Sequence, residues 1–253
     1  MITNANYFSS ENQIKYMGYS QIKSFMDCEA RTLAELKGEY ARETSKSMLV
    51  GSYVDAHFEN SLDIFKAKNP GIFTSKGELK AEFKQAEYII ERIERDKMFM
   101  EYMSGEKQVV KTGTIDGVPV KIKMDVYFPG ERIVDLKVVK DFEPIWAEGR
   151  GKLNFALYWG YDIQAAVYQA IEGNKLPFYL AAVTKEKEPD FDIIQIPQYY
   201  IDAAMENIRS QILKFQAIKE GIIEPERCGH CDYCRATKKL SEIKSLEEFD
   251  YAE

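Results

Sequence analysis

Two short stretches near the middle of the chain hold groups that can do chemistry together. Asp125 lies in Lys123-Met124-Asp125-Val126-Tyr127, and Asp135 shares Val134-Asp135-Leu136-Lys137 with a lysine two positions on. Residues 118–128 and 131–139 alternate with a period of two, and Pro129-Gly130-Glu131 between them is a turn signal, so they read as a hairpin. If Phe128 pairs with Arg132, Asp125 falls opposite Asp135, where like charges are destabilising unless a cation lies between them. Asp135 and Lys137 then point to one face of their strand while Val134, Leu136 and Val138 point to the other. Two carboxylates and an ammonium on one patch suit a hard cation, Mg²⁺ or Mn²⁺, whose shell a substrate phosphate completes. Such an ion lowers the pKa of its water, and Lys137 would orient that water or offset charge in the transition state. The plainer reading is a solvated strand face, since Asp and Lys two apart are a frequent coincidence in a chain that is 30% charged.

The four cysteines are the second constellation. Cys28 stands alone, and Cys228, Cys231 and Cys234 form C-x-x-C-x-x-C inside Arg227-Cys228-Gly229-His230-Cys231-Asp232-Tyr233-Cys234-Arg235. The start of the sequence lacks a basic segment followed by an apolar one, so a secretory disulfide framework is disfavoured and metal binding is expected. Zn²⁺ held by four Cys, or by three Cys and His230, and a 4Fe-4S cluster all suit this spacing.

The elements that must position these groups follow from composition and period. With 45% apolar residues in 253, the chain can bury a substantial core, and disorder and coiled coil are excluded. Lys+Arg 34 against Asp+Glu 41 gives a net charge of −7, so any contact with DNA must be local rather than spread over the surface. A phosphate track from Lys23, Arg31, Arg150, Lys152, Arg235, Lys238 and Lys239 is the candidate. No apolar run approaches membrane length, and a cytoplasmic location with no membrane partner is expected. Helices are predicted over 20–37, 47–65, 79–102, 152–173 and 198–220, and strands over 107–115, 118–128, 131–139, 178–184 and 191–196. Val50, Tyr53, Val54 and His57 share one face of the second helix. The order predicts an α/β (α+β) fold in which a mixed central sheet carries helices on its faces. No repeat or linker divides it, so residues 1–253 are expected to form a single domain, with the helix at 20–37 and the cysteine-rich tail at 225–240 as its appendages.

In this order the residues resemble the PD-(D/E)xK nucleases, most closely the RecB-like branch that includes phage and prophage RecE-type recombination exonucleases. The resemblance covers roughly residues 20–234 and implies a restriction-endonuclease-like core. It implies that His57, in Gly51-Ser52-Tyr53-Val54-Asp55-Ala56-His57, ligates the metal beside Asp125 and Asp135, with Asp55 as the substitute and the Leu136 carbonyl as a further ligand. It also implies that Gln164 and Tyr168, the Gln-x-x-x-Tyr of a downstream helix, position Lys137 or the DNA strand. Met124 replaces the family's Pro, and Asp135 stands for its Glu. A subset of these nucleases carries one cysteine before the core and three after it, the order of Cys28, Cys228, Cys231 and Cys234, which implies a 4Fe-4S clasp pinning the tail to the first helix. The expected activity is a metal-dependent exonuclease on linear DNA, duplex or single-stranded. A single-strand annealing partner and a homo-oligomer are implied by resemblance alone. A DNA-binding module without catalysis is the rival.

Overall fold

The computed structural model describes residues 2–43, 45–240, 243, 245 and 246; the charged end of the tail lies outside the described residues. In chain order the elements are α1 (Ser10–Lys15), α2 (Tyr19–Asp27), α3 (Glu29–Leu36), α4 (Lys46–Phe58), α5 (Leu62–Lys68), α6 (Ala81–Glu94) and α7 (Lys97–Tyr102). Strands β1 (Glu106–Ile115), β2 (Val118–Phe128), β3 (Arg132–Val139), β4 (Ile145–Ala147) and β5 (Gly151–Leu153) follow. Then come α8 (Phe155–Tyr158), α9 (Tyr161–Glu172), β6 (Phe178–Thr184), β7 (Phe191–Gln195), α10 (Gln198–Lys219) and α11 (Asp232–Ala236).

The main sheet runs β1-β2-β3-β6-β7 and is mixed, as predicted: β3 and β6 are parallel and every other pair is antiparallel. Asp116 and Gly117 both take positive φ, 49° and 84°, the conformation a two-residue hairpin requires between β1 and β2. Gly130, at φ 74°, turns β2 into β3 with Phe128 opposite Arg132, the predicted register. One face of the sheet is covered by α2, α9 and α10, with Ile22, Phe25, Val167, Ile208 and Phe215 in that core. The other is covered by α4 and α6, with Tyr53, Val54, Phe83, Ile90 and Ile93. Residues of β3 serve both layers alternately, Ile133 and Val139 in the first, Val134 and Leu136 in the second.

Four predicted helices are each two shorter ones. The helix over 20–37 breaks at Cys28, whose extended backbone (φ −166°, ψ 107°) turns its thiol toward the tail. Asn60, at φ 57°, separates α4 from α5. Asp96 ends the third by accepting the Phe99 N–H at 2.8 Å and starting α7. Gly160, at φ 71°, separates α8 from α9 and packs against the aliphatic carbons of Lys23, so a side chain here would be strained and crowded. The β4–β5 hairpin occupies residues assigned from sequence to a loop and a helix start, and the short α1 and α11 were not expected.

The segment before α2 is strapped along β2. Met17 N–H donates to the Pro119 carbonyl and Lys121 N–H to the Met17 carbonyl, both at 2.8 Å. Beneath it, Lys121 Nζ donates to the Tyr7 carbonyl, and Lys219 Nζ donates to the carbonyls of Gln13 and Tyr16. Burial holds both ammoniums down to about 8, and for Lys219 the charge of Lys121 adds to it. A lysine lowered on folding costs stability while it is charged in both states, and that cost is relieved as pH rises from about 8 toward 10.5. The unfolding temperature of wild type relative to Lys121→Met is therefore expected to climb between pH 8 and pH 10. A constant difference would show that Lys121 titrates as an ordinary lysine.

Candidate active site

The β2–β3 ladder runs Phe128↔Arg132, Tyr127↔Ile133, Val126↔Val134, and there it stops. Side-chain alternation on β2 slips at the same place, since Met124 and Tyr127 both lie in the α9 layer and Val126 in the α4 layer. The strands part at Asp125, whose carboxylate fills the fork: Oδ2 accepts the Leu136 N–H at 3.2 Å. Beyond the fork β3 keeps its partner on the other side, in parallel register with β6 from Ile133↔Phe178 to Val139↔Thr184.

Asp135 is 1% exposed. Its Oδ1 accepts the Gln164 amide at 2.5 Å, and its Oδ2 contacts the Lys137 ammonium and has no other donor among the described residues. Burial pushes the Asp135 carboxyl up to about 7, the Asp125 charge adds to that, and Lys137 opposes it. Burial works against the Lys137 charge, but Asp135 and then Asp125 outweigh it and keep the ammonium firmly protonated. Its Nζ stands 5.0 Å from the centre of the Tyr161 ring. Gln164 and Tyr168 sit one turn apart on α9. Tyr168 donates its hydroxyl to the Lys123 carbonyl at 2.8 Å, stitching α9 to β2 two residues before Asp125. Burial raises the Tyr168 hydroxyl well above its ordinary value, so it remains a donor.

The structure thus brings Asp125, Asp135, Leu136, Lys137, Gln164 and Tyr168 together. His57 stays outside: its Nε2 pairs with Glu94 of α6 at 2.7 Å, and the side chain is 32% exposed. This corrects the expected placement of His57, and helix geometry gives the reason. Positions two apart on a helix differ by about 200°, so His57 and Asp55 cannot both face the sheet. Asp55 does: with Glu59, Lys107, Gln108, Asp125 and Leu136 it lines one cleft. Burial raises the Asp55 carboxyl well above its usual range, and the charges of Asp125 and Asp135 add to this while Lys137 opposes it. Arg31, expected in the phosphate track, is instead taken up by Asp27 and Glu35 of its own surroundings. Lys23 donates to the Trp159 carbonyl at 2.6 Å, and Arg150 and Lys152 are exposed on the β4–β5 hairpin.

Gln108 escaped the sequence reading. It lies across from Asp125 on β1, with left-handed backbone (φ 52°), and its amide donates to Asp125 Oδ1 at 3.2 Å. A glutamine in a period-two run carries no signal of such a conformation. Just before it, Gly105 is obligatory: a Cβ there would stand 2.7 Å from the Tyr127 carbonyl oxygen.

At the other end of α2, the four cysteine sulfurs lie within 4.8 Å of one another and form no disulfide, a group able to hold a metal.

A carboxylate in a strand fork and a second carboxylate and a lysine two apart on the next strand are the parts one fold family is named for. The profile of a PDDEXK-like domain of unknown function (DUF3799) matches residues 18–237. The chain belongs to this PDDEXK-like family. The crystal structure of a protein from Eubacterium rectale, provisionally named an exonuclease, is similar to it at 46% identity with a TM-score of 0.94, covering 100% of this chain and 99% of that one. No curated protein matches the chain. PDDEXK nucleases use divalent metals, and the hard oxygen donors of Asp125 and Asp135 fit such an ion: two crowded carboxylates, one with a buried oxygen served only by Lys137, gain what they lack from a cation. Fold and family together support a nuclease. No helix among the described residues is long and apolar enough to cross a membrane.

Proposed function

We propose that this PDDEXK-like protein is a Mg²⁺- or Mn²⁺-dependent deoxyribonuclease, an exonuclease that hydrolyses phosphodiesters at linear DNA ends as a single nuclease domain in the cytoplasm. The observation that carries the reading is the convergence of Asp125, Asp135 and Lys137 at the β2–β3 fork. Asp125 and Asp135 would hold the cation, with Asp55 from α4 and the Leu136 carbonyl completing the oxygen set. When bound, the ion supplies a Lewis acid and a water of lowered pKa. Lys137, held protonated by the two aspartates, directs its ammonium at the attacking oxygen or the charge on the phosphoryl group. Gln164 fixes the orientation of Asp135 through Oδ1, leaving Oδ2 for the site. Tyr168 acts as a positioning residue by fastening α9 to β2.

The likeness to a protein named as an exonuclease and the resemblance to RecE-type enzymes favour duplex ends and a role in phage-type recombination or repair. A single-strand annealing protein as partner and a ring-like oligomer extend that resemblance.

The test is digestion of end-labelled linear duplex beside closed circular and single-stranded DNA, in Mg²⁺, Mn²⁺ and EDTA. Loss of the linear duplex alone, abolished by EDTA, supports the proposal. Binding without cleavage under any metal would replace it with a non-catalytic DNA-binding module.

The two α4 candidates separate in the same assay. Asp55→Asn is expected to lower cleavage by about tenfold to a hundredfold, as loss of a site carboxylate does. His57→Ala should leave it within about twofold, since an exposed His–Glu pair contributes at most about 1 kcal/mol to stability. The reverse ranking would return His57 to the site.

A further inference from the structure

The cysteine group lies apart from the carboxylates and has its own geometry. Cys28 Sγ stands 3.6 Å from Cys234 Sγ and 3.8 Å from Cys231 Sγ, and Cys228 Sγ stands 3.9 Å from Cys234 Sγ. All four sulfurs fall within 4.8 Å of one another. A zinc–thiolate bond of about 2.3 Å puts the corners of an S₄ tetrahedron about 3.8 Å apart. A 4Fe-4S cubane places four irons and four sulfides between its thiolates and holds their sulfurs about 6 Å apart. The observed spacing fits the first and not the second.

The two sides of the group are tied together. Cys28 and Cys234 are 3% and 2% exposed. The backbone on either side is stitched: Ala30 N–H donates to the Glu226 carbonyl at 3.0 Å, and Glu226 N–H to the Glu29 carboxylate at 2.8 Å. Lys214 of α10 pairs with both Glu29 and Glu226, at 2.8 and 2.7 Å. These bonds fasten the tail to the start of α3 next to Cys28 and set the two sides of the group at the short spacing observed. His230 stands outside the group: its ring is exposed with Nδ1 donating to the Cys228 carbonyl at 3.0 Å, and the four sulfurs gather without a ring nitrogen. The Cys231 and Cys234 N–H groups each donate to the preceding cysteine's sulfur at 3.4 Å, which offsets thiolate charge.

We propose that Cys28, Cys228, Cys231 and Cys234 hold one tetrahedrally coordinated thiophilic metal ion, of the class exemplified by zinc, in place of the 4Fe-4S cluster that the family resemblance implies. The site is structural. Its four ligands close the shell and leave no position for substrate.

The test is to purify the full chain without oxygen from cells supplied with both iron and zinc, and to measure metal, acid-labile sulfide and the visible spectrum. An Asp125→Ala background keeps the carboxylate site from contributing to the count. One zinc per chain in a colourless protein supports the proposal, as does one iron without sulfide. Exchange with Co²⁺ should then give the intense visible bands of a tetrahedral thiolate site, absent from Cys231→Ser. A brown protein absorbing near about 400 nm, with about four irons and four sulfides per chain, would overturn it. So would a metal-free protein whose four thiols all react with a thiol reagent. Because metal is counted and not turnover, the outcome is independent of whether the chain cleaves DNA.

Discussion

Replacing Asp135 with Asn is expected to cut DNA cleavage by about a thousandfold or more while DNA binding stays the same or tightens. Asn is isosteric, and its side-chain carbonyl can still accept the Gln164 amide, so the helix–sheet contact survives. What disappears is the second negative charge at the fork. One carboxylate then stands where two crowded ones stood, and a substrate phosphate meets less repulsion. The metal-free variant also leaves the Lys137 ammonium without its nearest carboxylate, so its unfolding temperature should fall below that of wild type. Lys137→Met makes the informative companion. Both variants lose cleavage, but Asp135→Asn also loses the Mn²⁺-induced rise in unfolding temperature, and Lys137→Met keeps it. If Asp135→Asn cleaved like wild type, the chemistry would have to lie elsewhere on the molecule.

The largest expected effect on stability is at the cysteine clasp. With a metal bound as proposed, Cys28→Ser would remove the single ligand on the N-terminal side and with it a cross-link joining points about 200 residues apart in the chain, which chain entropy values at about 5 kcal/mol. For a protein of this size that corresponds to a fall in unfolding temperature of about 10–20 °C. The two apolar layers on the sheet do not depend on the clasp, so far-UV circular dichroism at 20 °C should change little. Limited proteolysis should instead release the tail, whose other ties to the rest of the chain include the stitches around Glu226 and the contact of the Tyr233 ring with Tyr40. A drop of less than about 1 kcal/mol would mean that the thiols are not joined in the folded protein. This expectation holds for any metal and so does not depend on the one-ion proposal.

How much could be read beforehand varied with the range of the interaction. The β2–β3 hairpin was legible because its signals are local: a period of two, a Pro-Gly turn, and a register that one pairing sets. The mixed sheet with helices on both faces followed from the order of elements. The fork at Asp125 was not legible, because the slip in alternation is shared with Gln108 on the neighbouring strand and neither residue type announces it. His57 and Asp55 show the limit of helical patterning. Val50, Tyr53 and Val54 are buried as their spacing implies, but the side of that stripe facing α6 and the side facing the carboxylates depend on where the helix is docked. Cys28 shows another limit. Ile22, Phe25 and Leu33 are compatible with one continuous helix, and only the distant thiols explain why the chain breaks between them.

The bend at Cys28 also sets an order of events during synthesis. Cys28 leaves the ribosome well before Cys228, and at about 5–20 residues per second it waits on the order of 10–40 s for its three partners. Asp55, Asp125, Asp135, Lys137 and Gln164 are all made within that interval, so the residues of the candidate site exist before the fourth thiol does. A polypeptide interrupted before residue 234 carries the complete set of site residues and an open clasp, and it is the less protected substrate for cellular proteases. With a metal ligated as proposed, the clasp would close only in chains that have reached residue 234, and those chains alone would gain its protection from degradation.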